Sequence, residues 1–297
     1  MHIRNLNDKF AESIARDGHT KIFQNLNGGR DEEYERTGCA EDDIYDWIRK
    51  LYRDSRGAEL PGMVNPSVLG CMFQQQTVAW EPIATKYIDK VARAVDVFNQ
   101  TIFDKLIGDE EVKDHLRARL RQQNQEAVNR SAYELASLLQ DERGGILQTV
   151  NNYFAETLSN IREERTFQRL KAKGFRDGSY LSATRGNEDQ AVENIHDTLK
   201  AYYKVARKRF TDNVILQEAE RRLLGVNGPV RTLSPEFIRN LEDSELEHIA
   251  GESYVTSTKR NDLASKVDRF QKALQIAKSA NIEVCSPRIR HDSSFNI

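Results

Sequence analysis

The sequence predicts an all-α chain: an elongated antiparallel helical bundle followed by a separate C-terminal amphipathic helix. Three observations carry that expectation. Between Gln190 and Leu224, the residues Val192, Ile195, Leu199, Tyr202, Ala206, Phe210 and Val214 recur at three- and four-residue steps, with no Pro or Gly among them, which draws one apolar stripe down a helix. At 1.5 Å per residue that helix runs roughly 50 Å, so it needs partners of similar length to bury its stripe. Second, 6 Pro and 16 Gly in 297 residues, with 30% charged side chains, favour helix over sheet. Third, 66–107 and 110–171 both carry helical apolar spacing over lengths that match the first.

In chain order, residues 3–27 read as a helix carrying Leu6, Phe10, Ile14, Ile22, Phe23 and Leu26, weakened by Gly18. The stretch 27–40 is a loop by its Gly and charge content. Asp42 or Asp43 is placed to N-cap a helix through Ser55 built on Ile44, Trp47, Ile48, Leu51 and Tyr52. RGAELPGMVNP then ends one helix and launches another. From Pro66 to Ile107 a single helix is expected, kinked at Pro82 because the proline ring displaces a carbonyl and has no N–H. Gly108-Asp109 reverses the chain into 110–171, with Gly144-Gly145 as a weak point. Residues 172–189 lose periodicity and read as a mobile loop. After the stripe-bearing helix, LGVNGPVRTL is a turn, and Ser234-Pro235-Glu236 and Asp243-Ser244-Glu245 are helix starts with a cap and a first-turn acid. A last helix over 258–279 carries Leu263, Val267, Phe270, Leu274 and Ala277 on one face, and 281–297 is a disordered tail.

Several chemistries are disfavoured. A net charge of −2 gives no global attraction to nucleic acid or membrane. No run reaches the ~20 apolar residues of a membrane span, and MHIRNLNDKF has no signal-peptide apolar core. Cys39, Cys71 and Cys285 are widely spaced and read as reduced thiols of a cytoplasmic protein. The sequence contains no Gly-Lys dipeptide and hence no phosphate-cradling P-loop. His2, His19, His115, His196, His248 and His291 lack ligand spacing and read as surface or boundary residues. No catalytic residue, cofactor site or metal site is expected.

Two basic clusters and one apolar stripe remain. Arg162, Arg165, Arg169, Lys171, Lys173 and Arg176, set against Glu163, Glu164 and Asp177, stand at the entrance to the mobile loop. They read either as a solvated face or as a weak site for anionic lipid headgroups; nucleic acid is not expected, because no stacking fold supports it. Lys204, Arg207, Lys208 and Arg209 lie on the long helix and are expected to pair with acids of neighbouring helices or copies. The stripe of 258–279 either packs back on the bundle or binds a partner.

RGAELPGMVNPSVLGCMFQQQTVAWEPIATKYIDKV resembles the middle region of dynamin-like proteins, whose mark is an Arg-Gly-x-Glu-Leu-Pro-Gly loop. IHDTLKAYYKVARKRFTDNV, continued by SPEFIRNLEDSELEHIAGES and a charged helix, resembles the GTPase-effector region of fungal dynamin-like and Mx-like large GTPases. The resemblance covers most of residues 1–280. It implies a stalk region over 1–189, ending in the loop 172–189, and an effector region over 190–280. It also implies self-assembly into a homo-oligomer, with Arg56, Gly57, Glu59, Leu60, Pro61 and Gly62 in stalk–stalk contacts, although Ala58 departs from the Arg often found there. By the same resemblance the loop at 172–189 matches the position of the family's lipid- or target-binding tip, and the 258–279 stripe resembles a strand of the bundle that packs against helices flanking the GTPase domain. GTP and Mg belong to the full-length family, and full-length dynamin-like GTPases are expected partners, on membranes or microtubules. Three readings stay open: a self-assembling stalk and effector module coupling assembly to GTP hydrolysis, a fragment of a complete GTP-hydrolysing enzyme, and a helical adaptor without a membrane role.

Overall fold

In a computed structural model, which describes residues 2–24, 43–55, 65–172, 186–231 and 234–279, the chain is all-α, with no strand among the described residues. Its helices are α1 His2–Asp17, α2 Ile44–Asp54, α3 Pro66–Gln76, α4 Trp80–Leu106, α5 Glu110–Arg143, α6 Asn152–Ala172, α7 Asn187–Asn213, α8 Pro235–Arg239, α9 Asp243–Ala250 and α10 Tyr254–Ser279. A π-helical segment, Val214–Leu223, continues α7, and Pro229–Arg231 form a 3-10 turn. By contacts the structure falls into two units, Met1–Asn240 and Leu241–Ile297.

Local chemistry sets the helix starts. Asp43 accepts a hydrogen bond from the Tyr45 amide at 3.0 Å and opens α2. Asn65 accepts from the Ser67 amide at 2.9 Å, with Pro66 in the first helical position. Asp109 accepts from the Glu111 and Val112 amides at 2.9 and 3.3 Å and starts α5. Each cap satisfies amides that have no partner inside their own helix. At α9 the cap position is Glu242 rather than Asp243, and the Glu242 amide donates to Glu245 at 3.2 Å.

Three expected helices are interrupted. The first ends at Asp17 instead of continuing to 27; Thr20 and Lys21 are then held by the buried Gln76, whose Oε1 accepts from both at 3.0 Å. The 66–107 helix is broken rather than kinked. Residues 77–79 separate α3 from α4, and Pro82 falls in the first turn of α4. There its ring has no helical carbonyl of Val78 to displace and its missing N–H leaves no gap in the ladder. The 110–171 helix splits at the predicted weak point, where Gly145 takes φ 125°, a conformation that favours glycine. The segments 27–40, 173–185 and 281–297, with their expected loop and tail character, lie outside the described residues.

The core of the first unit is laid against α7. Val192, Ile195, Leu199, Tyr202, Ala206, Phe210 and Val214 are all buried, as the stripe requires. α7 packs on α1, α2, α3 and α6, while α4 and α5, joined by three residues, form a hairpin that closes on the π segment. The centre is aromatic. Trp80, fully buried, stacks on Phe210 with centroids 4.7 Å apart and meets Phe73 edge-on at 5.6 Å. Its indole N–H donates to the Tyr203 hydroxyl at 3.4 Å. In the second unit α9 and α10 bury no residue.

Truncating Trp80 to Ala empties the junction of α3, α4 and α7, a change that costs about 3–5 kcal/mol in a packed core. Denaturant unfolding is expected to show that loss, whereas Val78→Ala, at a position 54% exposed, stays within about 0.5 kcal/mol of the parent.

Candidate functional site

Glu193, His196 and Asp197 stand at spacings of three and four on α7 and therefore share one face. α6 and α2 close over it. The Arg165 guanidinium of α6 grips the Asp197 carboxylate through two nitrogens, Nε to Oδ2 at 2.8 Å and Nη2 to Oδ1. Nη2 also donates to the Tyr45 hydroxyl of α2 at 3.2 Å. The Tyr45 ring stacks on the His196 imidazole, centroids 4.7 Å apart, and Phe23 meets the imidazole edge-on. His196 Nδ1 lies 3.1 Å from Asp197 Oδ1, while its Nε2 is buried without a hydrogen-bond partner. Glu193 takes Arg169 and, at 3.6 Å, Arg165.

Burial pushes the Asp197 carboxyl up, but hydrogen bonds from His196 and Arg165 outweigh it and hold the group below the usual carboxylate value. Burial pushes the His196 imidazole down, and the Asp197 contact offsets only part of this against the repulsion of Arg165 and Lys200. The cluster is thus a neutral imidazole beside a tightly matched ion pair. With Asp197 side-chain exposure at 2% and Arg165 at 11%, it acts as a lock between α2, α6 and α7 and has no open face for a substrate. No group of His, Cys, Asp and Glu able to hold a metal ion occurs among the described residues.

This corrects two expectations. His196 is a core residue and not a surface one, as is His19, which is fully buried. Arg165 does not belong to a lipid-facing cluster, because its charge is spent inside the unit. Arg169 is likewise engaged by Glu193, Arg162 and Lys171 are exposed, and Lys173 and Arg176 lie outside the described residues. The signal for His196 was its place next to Ile195, between stripe positions 192 and 199. In the second basic cluster, Arg209 pairs with Glu142 of α5 at 2.7 and 2.6 Å, and Lys208 sits over the Tyr153 ring.

The back of α6 is a different surface. An open groove there is lined by Phe154, Leu158, Arg162, Glu163, Phe167 and Leu170. Phe167 and Leu170 are 58% and 56% exposed. The groove has no signature in the sequence, because the apolar positions of this helix alternate with acids and arginines. The order along it is apolar, charged, apolar, and it reads nearly the same from either end. About a point between Arg162 and Glu163, Leu158 is the counterpart of Phe167 and Ala155 of Leu170. On α10, Leu263, Val267, Phe270 and Leu274 are each at least half exposed and, with Ala277, form one stripe. The loop of Arg56, Gly57, Glu59, Leu60, Pro61 and Gly62 lies outside the described residues.

Asp197→Asn leaves Arg165 buried without its counter-charge, and breaking such a pair costs about 3–5 kcal/mol. The double variant Arg165→Met with Asp197→Leu recovers most of that loss if the pair acts as a lock. Both depressed groups give the same pH sign. His196 contributes fully above its unfolded value of about 6.5 and Asp197 above about 3.9; each contribution is lost as pH falls through the folded value. Melting temperature is expected to fall from pH 7 to 5, and His196→Gln to flatten that slope; an unaltered slope would place the titration elsewhere.

Comparison with known proteins agrees with this architecture. Residues 187–280 match the dynamin GTPase effector domain. An interferon-induced GTP-binding protein Mx1 of Ictalurus punctatus is 23% identical over 224 residues, 73% of this chain and 34% of that protein. Interferon-induced GTP-binding Mx proteins of Epinephelus coioides and Siniperca chuatsi are 24% and 26% identical over 221 and 223 residues, with the same coverage. The chain thus spans about a third of the length of the curated relatives it matches. No solved structure matches it. No described helix is long and apolar enough to cross a membrane. The effector-domain match covers α7 through α10 and the Mx similarity reaches well beyond it, and both support a place for the chain in the dynamin-like, Mx-like family of large GTPases.

Proposed function

We propose that the chain is a self-assembling stalk and effector module, which couples its own association on membranes to GTP hydrolysis in an attached or partner GTPase domain. The observation that carries this reading is the exposed groove of α6. Its residues are arranged so that a second copy, turned antiparallel about a two-fold axis, supplies the complement. Arg162 meets the partner copy at the position equivalent to Glu163, and Leu158 meets the position equivalent to Phe167. A two-fold interface of this kind must be self-complementary, and this order of side chains satisfies that condition.

The remaining features extend the same reading. α10 lies inside the effector-domain match and exposes Phe270 at 74%; its stripe is proposed to dock on helices beside a GTPase domain of this family. The Arg56–Gly62 loop is proposed as a further assembly contact. Lys171, with Lys173 and Arg176, is proposed as a weak anionic-lipid contact on a peripheral, cytoplasmic face, decided by co-sedimentation with anionic against neutral vesicles.

Sedimentation of the full chain is expected to show dimers or larger species at micromolar concentration. Phe167→Asp with Leu170→Asp shifts them to monomer. Arg162→Glu alone weakens association at least tenfold, because two like-charged pairs are created, and Arg162→Glu with Glu163→Arg restores it. A monomeric parent chain, or a double charge exchange that fails to restore association, would refute pairing through α6.

A further inference from the structure

The contact of α6 with α7 changes character along its length. At one end α6 supplies the cations and α7 the acids: Arg169 meets Glu193, and Arg165 meets Asp197 at 2.8 Å. About two to three turns along the antiparallel pair the polarity reverses. There α7 supplies Lys204 and Lys208, and α6 answers with the hydroxyls of Tyr153 and Thr157 instead of carboxylates. The Lys208 ammonium lies over the Tyr153 ring, 4.7 Å from its centroid, while Lys204 and Thr157 hydrogen-bond the phenol oxygen. Glu142, the acid of α5 nearby, is taken by Arg209 at 2.6 Å, and Glu156 and Asp212 are exposed on the same two helices. A neutral oxygen accepts hydrogen bonds from an ammonium group but supplies no counter-charge, and charge-assisted bonds are roughly twice as strong.

Among the tyrosines the phenol of Tyr153 is set apart. Burial pushes Tyr45, Tyr87 and Tyr203 up. Burial pushes Tyr153 up as well, but Lys204 and Lys208, with hydrogen bonds from Thr157 and Lys204, outweigh it and hold the group below its ordinary value. Its place in the chain also suits an anion. Tyr153 is the second residue of α6, and its amide donates to the capping Asn151 at 2.9 Å. A phosphate adds about −1.5 to −2 charges, which a helix N-terminus favours, and opposite cations it makes one to three charge-assisted bonds. The preceding residues 144–151 are not helical, and Ile146 and Val150 are exposed. Helix ends open at the least cost, so unwinding the first turn of α6 presents Tyr153 in extended chain and leaves the Arg165–Asp197 pair closed.

We propose that Tyr153 is a phosphorylation site, and that phosphotyrosine there fastens the start of α6 to α7 through Lys204 and Lys208. In the transfer the Tyr153 oxygen bonds to the γ-phosphorus of a nucleoside triphosphate held by a protein tyrosine kinase. The bond from that phosphorus to the β-phosphate oxygen breaks, the nucleoside diphosphate leaves, and the phenol proton passes to the kinase's general base. The clasp forms within one copy and does not depend on pairing through the back of α6.

The full chain with phosphotyrosine genetically encoded at position 153 tests this against the unmodified chain. Its melting temperature is expected to rise by about 3 °C or more at pH 7.5. Lys204→Gln with Lys208→Gln is expected to erase the rise, and Lys204→Arg with Lys208→Arg to keep it. By phosphorus NMR the second ionisation of the phosphate is expected at least about half a pH unit below its value of about 6 in the urea-unfolded chain. A depressed folded value gives a gain that is full above about pH 6 and fades as pH falls through the folded value. A tyrosine-kinase catalytic domain with ATP and Mg is expected to label Tyr153 in the folded chain. A phosphorylated chain that melts at or below the parent, or a rise that survives the double Gln variant, would overturn the proposal. So would labelling of the exposed Tyr133 and Tyr254 with none at Tyr153.

Discussion

The stack of Trp80 on Phe210 is the contact on which the first unit depends. It lies where α3 ends, where α4 begins and near the C-terminal end of the buried stripe of α7, and it joins elements distant in sequence. Trp80 can occupy that place only because the chain breaks at 77–79, and the break is what Pro82 requires. Gln76 at the same break binds Thr20 and Lys21 and so fixes the segment that follows α1. One backbone interruption thereby positions both the aromatic centre and the chain entering it.

Charges divide cleanly between inside and outside. On the α7 side of α6, Arg165 meets Asp197 and Arg169 meets Glu193, so the ion pairs hold helix to helix. At the start of α7, Glu188 takes Arg53 at 2.7 Å and Asp189 takes Arg49 at 3.2 Å, tying α2 into the same assembly while their charge suits a helix N-terminus. On the back of α6, Arg162 and Glu163 line an open groove between apolar residues. The same residue types thus build a lock on one face and an open groove on the other, and only packing distinguishes them.

That distinction marks what the sequence could reveal. The α7 stripe, the cap at Asp42 or Asp43 and the reversal at Gly108-Asp109 were legible because periodicity and capping are local properties; that Asp109 also caps α5 was not read from the sequence. The break before Pro82 was less so: the proline announced a disturbance, but its position depended on what Trp80 and Gln76 had to reach. The burial of His196 was hidden because a histidine on a stripe edge is core or surface according to which helices cover it. The π segment left little trace, because Glu218, four residues after Val214, is buried where regular spacing would put it, and only the burial of Ala219 beside it departs from that spacing. The groove of α6 was illegible because charged and apolar residues alternate along that helix and no periodicity separates its two faces.

The central claim is that the exposed face of α6 pairs antiparallel with a second copy about a point between Arg162 and Glu163. The most direct measurement is the distance between spin labels on two copies, placed singly at Ala155, Ser159, Thr166 or Leu170, with Cys39, Cys71 and Cys285 replaced by serine. Antiparallel pairing moves the two labels apart by about 3 Å for each residue away from the centre, since each helix rises 1.5 Å. Ser159 and Thr166 should give equal short distances, and Ala155 and Leu170 equal longer ones. Distances that stay constant along the helix, or the absence of any distance between copies, would contradict the account.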